Sequence, residues 1–181
     1  MASHEVTEEQ RDKIIEGMIT LLGLKRKHPS REELEHEIID YLSKKHPCTL
    51  ATCGKEGIPR VSVVDYVSDG LTIYIMSEGG VKFKNIKANN KIGLGIGTST
   101  QTMRSVRGVN ISGIADVFSD EAPEFAKGLQ LFRPFIEDIE KMTGKPAKIP
   151  EGIMKLIRVT PKQIVYFHYN KGIGNALWEA D

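Results

Sequence analysis

The sequence predicts a mainly β chain: an antiparallel β-barrel of six to seven strands, preceded by a helical pair and crossed by a further helix. Three observations carry this. Apolar residues recur with a period near 3.6 up to residue 45 and with a period of two after His46-Pro47. The period-two segments are rich in Val, Ile, Thr and Tyr and are separated by short glycine-containing turns. Helical spacing then returns after residue 80 and again after residue 119. Short turns join antiparallel neighbours, and a closed sheet with a helix across it buries the apolar face of each strand.

Taken in order, residues 7–24 place Ile14, Ile15, Met18, Ile19 and Leu22 on one helical face, with Glu8, Glu9, Arg11, Asp12 and Glu16 outside. Gly23 and Lys25-Arg-Lys-His-Pro29 end this helix, because cations suit a helix C-terminus and proline forces the chain out of helical geometry. Ser30 with Glu33 reads as a capping box, and Leu34, Ile38, Tyr41 and Leu42 form the apolar stripe of a second helix. Residues 1–45 thus read as an N-terminal helical extension offering packing or dimer surface, and residues 46–181 as the barrel domain. Strands are expected at 48–53, 60–67 and 71–77, with turns at Gly54-Lys-Glu-Gly57 and Ser68-Asp-Gly70. A helix over 81–88 leads to strands at 92–97 and 106–117, the latter with Gly108 and Gly113 as bulge or close-approach sites. A polar loop at 98–105 lies between these two strands. Residues 120–142 are helical again, and Pro134 within them predicts a kink or two short helices. A loop at 143–152 precedes a last hairpin, 154–159 and 163–169, turning at Thr160-Pro-Lys162.

Composition narrows the function classes. The 181 residues suit one domain with a full core plus a small extension. Lys and Arg number 25 against 24 Asp and Glu, a net charge of +1 with both signs interspersed, so neither nucleic acid nor an anionic membrane is the expected partner. No apolar run approaches a membrane span and no secretory leader is evident, so a cytoplasmic protein is expected. Cys48 and Cys53 lie on opposite faces of one strand and cannot bridge; their spacing is poor for zinc, and no metal site is expected.

The chemistry concentrates between His46 and Thr98. Alternation puts Arg60, Ser62 and Val64 on one face of the second strand and Val61, Val63 and Asp65 on the other. The third strand ends at Ser77, Gly79-Gly80 let backbone N–H groups approach a ligand, and Lys82 stands in the first turn of the next helix. A hydroxyl, N–H donors and two fixed cations are what a phosphate needs. The competing reading makes Arg60 and Lys82 solvated surface cations and the glycines a plain loop. His168 shares a strand face with Tyr166 and reads as structural, with a proton-donor or haem-ligand role as the alternative; Asp65 and Asp116 lack a partner carboxylate, and no Ser-His-Asp set can be assembled.

The order Gly57-Ile-Pro-Arg60-Val-Ser-Val, Asp69-Gly-Leu-Thr-Ile-Tyr-Ile-Met-Ser77, Lys82-Phe-Lys-Asn-Ile86-Lys-Ala-Asn-Asn90 and Val109-Asn-Ile-Ser-Gly113-Ile-Ala-Asp-Val resembles the FMN-binding split barrels related to pyridoxamine 5'-phosphate oxidase, over about residues 45–169. The resemblance implies a homodimer with an FMN in each of two interface clefts and a small-molecule substrate. It implies that Arg60, Ser77 and Lys82 hold the phosphate, and that Val61, Ser62 and Met76 contact the ribityl chain or the ring. It further implies an oxidoreductase passing a hydride or electrons to a small organic acceptor, the flavin supplying the redox chemistry.

Three departures from the family pattern stand out. Val81 precedes Lys82 where the oxidase subgroup has adjacent Arg and Lys, which leaves Lys84 or a partner-subunit residue to compensate. Gly108 stands where some relatives carry a flavin-contacting glutamine. No arginine follows Arg158, which argues against pyridoxamine-phosphate oxidation itself. Trp178 is left to lie against a flavin or to cover the barrel end. A non-enzymatic flavin or electron carrier is the alternative function, as is a split barrel using deazaflavin, or haem on His168 or His46.

Overall fold

The structure, a computed structural model, describes residues 6–44, 48–98, 102–150 and 152–181. Two helices, α1 (Glu8–Leu21) and α2 (Arg31–Leu42), precede β1 (Cys48–Cys53), β2 (Pro59–Val64), β3 (Val67–Asp69) and β4 (Thr72–Ser77). Helix α3 (Val81–Ala88) leads to β5 (Lys91–Gly97) and β6 (Arg107–Phe118), and α4 (Pro123–Thr143) to β7 (Lys155–His168) and β8 (Ile173–Glu179). The strand order is β2-β1-β5-β6-β7-β4-β3, with β8 also paired to β7. β2 and β3 end that order yet are consecutive in the chain, parted only by Asp65 and Tyr66. One run therefore supplies both terminal strands, and the antiparallel sheet curls back on itself as a split barrel.

Alternation sets the core. In β5 the side chains of Ile92, Leu94 and Ile96 point inward, and the alternate positions on the outer face are Gly93, Gly95 and Gly97. The inward set joins Leu50, Ile73, Ile75, Ile111, Ile157 and Ile164 in one cluster, to which α2 adds Leu34, Ile38, Tyr41 and Leu42. Both N-terminal helices start with capping boxes, Thr7 with Gln10 and Ser30 with Glu33. α1 buries Ile15 and Ile19 but leaves Ile14 exposed. It lies close on β8, since a Cβ on Gly174 would fall 2.3 Å from Ile15 Cγ2.

Three expectations are corrected. Residues 120–142 do not form two short helices: α4 is a single helix of 21 residues with Pro134 inside it. Phe125 and Phe132, with Leu131, Phe135 and Ile136 beside them, pack on Tyr74 and Leu156 on both sides of the proline, and this burial outweighs one missing hydrogen bond. Thr160-Pro-Lys162 is not a hairpin turn. β7 runs through it, with Pro161 opposite Gly113 and Gln163 opposite Ser112, so Lys162 is an extra residue where the register shifts. A proline without an N–H is tolerated at such a bulge. The true last hairpin turns at Tyr169–Lys171 and returns as β8, a strand the pattern did not predict.

Candidate functional site

The site grows from the end of β4. Ser77 is buried and points inward with Ile73 and Ile75, while Met76 points the other way and packs against the cluster under α4. After Ser77 the chain turns through Gly79 and Gly80; Gly80 caps α3 at φ 102°, a conformation only glycine adopts readily. The Lys82 ammonium folds back over this turn to donate to the Gly79 carbonyl, and it lies 5.2 Å from the centroid of the Phe83 ring. The Ser77 hydroxyl has only a long contact, 3.5 Å, to the Glu78 carboxylate.

β2 brings the other cation. Arg60 stands opposite Thr52 and Ser62 opposite Leu50, so both share the face that alternation assigns them. Thr52 accepts a hydrogen bond from Asn85 Nδ2 of α3 at 3.2 Å, which ties the β1–β2 hairpin to the helix. Between hairpin and helix lies a cavity of about 720 Å³ lined by Lys55, Glu56, Arg60, Val81, Lys84 and Lys87 among others. On the far flank of α3 a second cavity, about 900 Å³, includes Phe83, Lys84, Lys87, Asp116 and Lys155. Arg60 thus shares a cavity with Lys84 and Lys87, whereas Ser77 and Lys82 form the turn at the head of the same helix and line neither space. Val61 and Val63 point outward and are 57% and 78% exposed.

Among the described residues, Lys55, Arg60, Lys82, Lys84, Lys87 and Lys155 form no ion pair. Six cations without a paired carboxylate, three of them on α3, make this region a candidate anion site. Lys87 and Lys155 were not predicted. Lys87 had a readable signal, since Val81–Ala88 contains three lysines and no acid. Lys155 had none, because it reaches the site only through the pairing of β7 with β4.

One departure has a structural reason. A Cβ on Gly108 would lie 2.7 Å from the Ile96 carbonyl and 2.8 Å from Phe167 Cζ, so no side chain fits there. Trp178 is buried under α2, its Nε1 donating to Glu35 at 2.6 Å with Arg31 over the ring. His168 Nδ1 lies 3.3 Å from the Tyr166 hydroxyl and 3.9 Å from Glu37, a structural setting. Burial, with Arg107 and Lys171 nearby, holds its pKa below 6.5. His46 lies outside the described residues. Cys48 and Cys53 are free thiols, and burial, aided by Asp65, pushes Cys48 up to about 12. Among the described residues no helix is long and apolar enough to cross a membrane, and no three His, Cys, Asp or Glu side chains gather as a metal ion requires.

Solved structures share this fold. A putative pyridoxamine 5'-phosphate oxidase from Listeria innocua is 21% identical, with 75% of this chain and 99% of that one covered at a TM-score of 0.56. A haem-binding protein from Mycobacterium smegmatis is 18% identical, with 85% and 59% covered at 0.60. An FAD-binding protein from Mesorhizobium loti is 18% identical, with 72% and 88% covered at 0.54. No curated protein matches the chain. The family model described as Pyridoxamine 5'-phosphate oxidase matches residues 34–168, which is most of the sequence and holds every residue of the α3 site, so the chain belongs to that family.

Proposed function

We propose that this protein is an FMN-binding flavoprotein, a homodimer with its cofactor at the subunit interface, that passes a hydride or electrons to a small organic acceptor other than pyridoxamine phosphate. The observation that carries this reading is the row of unpaired cations along α3 beside the Ser77 to Lys82 turn. The donor types suit a flavin phosphate: a buried hydroxyl and an ammonium held over a glycine turn, with an arginine lining the cavity on the flank of the same helix. Bound FMN would supply the redox chemistry. The chain's own residues would do the holding: Arg60, Ser77 and Lys82 at the phosphate, Val61, Ser62 and Met76 along the ribityl chain and ring. Met76 would contribute through its backbone, since its side chain packs toward α4. The outward apolar face of Val61 and Val63, with Ala51 opposite Val61, is the surface a second copy would cover.

FMN titration of the purified protein tests this directly. Quenched flavin fluorescence is expected, together with a dimer mass by light scattering, and replacing both Arg60 and Lys82 by Ala should abolish the quenching while leaving the thermal midpoint unchanged. Unquenched FMN with a Soret band on haem addition would replace the flavin by haem; binding of a deazaflavin alone would change the cofactor and keep the site. The neighbours named for haem and for FAD support running those titrations side by side. Flavin binding without steady-state oxidation of NAD(P)H by any acceptor would make the protein a carrier.

A further inference from the structure

We propose that Lys155 is a phosphate-binding residue of this site, supplying the second cation that Val81 does not. The inference rests on the flavin reading above and adds to it a residue that the sequence left unmarked. Two independent observations point to it. In the β4–β7 ladder Lys155 stands directly opposite Ser77, so the two side chains leave the same face of the barrel wall at its rim. The Lys155 ammonium also lies 5.8 Å from the centroid of the Phe83 ring, the ring that Lys82 approaches to 5.2 Å. One aromatic ring, carried on the first turn of α3, is therefore flanked by two ammonium groups with a hydroxyl nearby.

Like charges gathered around one ring repel each other, and no carboxylate among the described residues pairs with either ammonium. Asp116, the carboxylate lining the cavity beside Lys155, is engaged by Arg158 at 2.8 Å. Glu78 is exposed and makes only the long contact to Ser77, which an arriving phosphate would displace. A phosphate monoester dianion bracketed by Lys82 and Lys155 and accepting from Ser77 completes the set. Phe83 acts as a positioning residue, holding both lysine stems at the rim.

The test compares FMN, riboflavin and inorganic phosphate by calorimetry on the full chain. Lys155→Ala should weaken FMN binding about tenfold or more, the value of one charge-assisted hydrogen bond. Riboflavin affinity should be unchanged, competition by inorganic phosphate should weaken in parallel, and Lys155→Arg should restore FMN. Lys155 is exposed at the start of its strand, so the Ala variant should keep the wild-type thermal midpoint. FMN affinity equal to wild type in Lys155→Ala, with Lys82→Ala weakened, would overturn the role of Lys155 and leave the flavin reading standing. Equal losses for FMN and riboflavin would also overturn it, because the lysine would then act on something other than phosphate. Wild-type protein that binds neither FMN nor phosphate would remove both.

Discussion

Two charged regions of this molecule face opposite fates. Where α2 meets β6 and β7, Arg107 Nε donates to the Tyr166 hydroxyl at 3.0 Å and its NH2 group pairs with Asp40 at 3.0 Å. Tyr166 donates onward to Glu37 at 3.1 Å, and Lys171 closes on the same carboxylate. Along α3 the cations have no such partners among the described residues. The first region is a closed network that fastens α2 to the barrel, and half-buried charge is tolerable only when satisfied in this way. The second is open, and its charge is available to a ligand. Residue type does not separate the two regions; the presence or absence of a carboxylate opposite each cation does.

The largest expected effect lies on the closed side. Trp178 is buried between α2 and the barrel, so Trp178→Ala should cost about 3–5 kcal/mol in urea unfolding. A cost below 1 kcal/mol would mean that α2 is not fastened there. Next comes pH. Burial first, then Arg107 and Lys171, depress the pKa of His168 from 6.5, opposed by Glu37. Tyr166, against the same ring nitrogen, is pushed up by its own burial. The unfolded chain therefore binds the proton more readily than the folded one. Stability from this group is complete above pH 6.5 and falls as the pH drops through the folded-state value. His168→Gln should flatten the limb of the stability curve just below pH 6.5, and an unchanged slope would move the titration elsewhere. Below that window Asp40 takes over, held to about 2 by hydrogen bonds from Lys44 and Arg107.

The smallest stability effect belongs to the open side. Lys84→Ala combined with Lys87→Ala should leave unfolding within about 0.5 kcal/mol of wild type, as for unpartnered surface charges. A measurable loss of flavin affinity in that variant would sharpen the contrast. Destabilisation beyond 1 kcal/mol would erase it.

Much of this was legible in local pattern. The bounds of α3, the capping box at Ser30 and the shared face of Arg60 and Ser62 follow from spacing, because each depends on neighbours a few residues away. What escaped depends on distant partners. Thr160-Pro-Lys162 carries turn residues, and only the close approach of Gly113 makes them a bulge. Pro134 is a helix breaker until Phe132 and Phe135 find Tyr74 and Leu156. Gly108 reads as a missing ligand contact until Phe167 is seen to fill the space. Lys155 is one of many lysines until β7 pairs with β4.

That last pairing has a kinetic consequence. β4 and β7 are far apart in sequence, with β5, β6 and α4 between them, so their contact closes a long loop and belongs among the slow steps of folding. The ladder that sets Lys155 across from Ser77 is then complete only when the barrel has closed. Appearance of phosphate affinity during refolding would thus time the closure of the barrel itself.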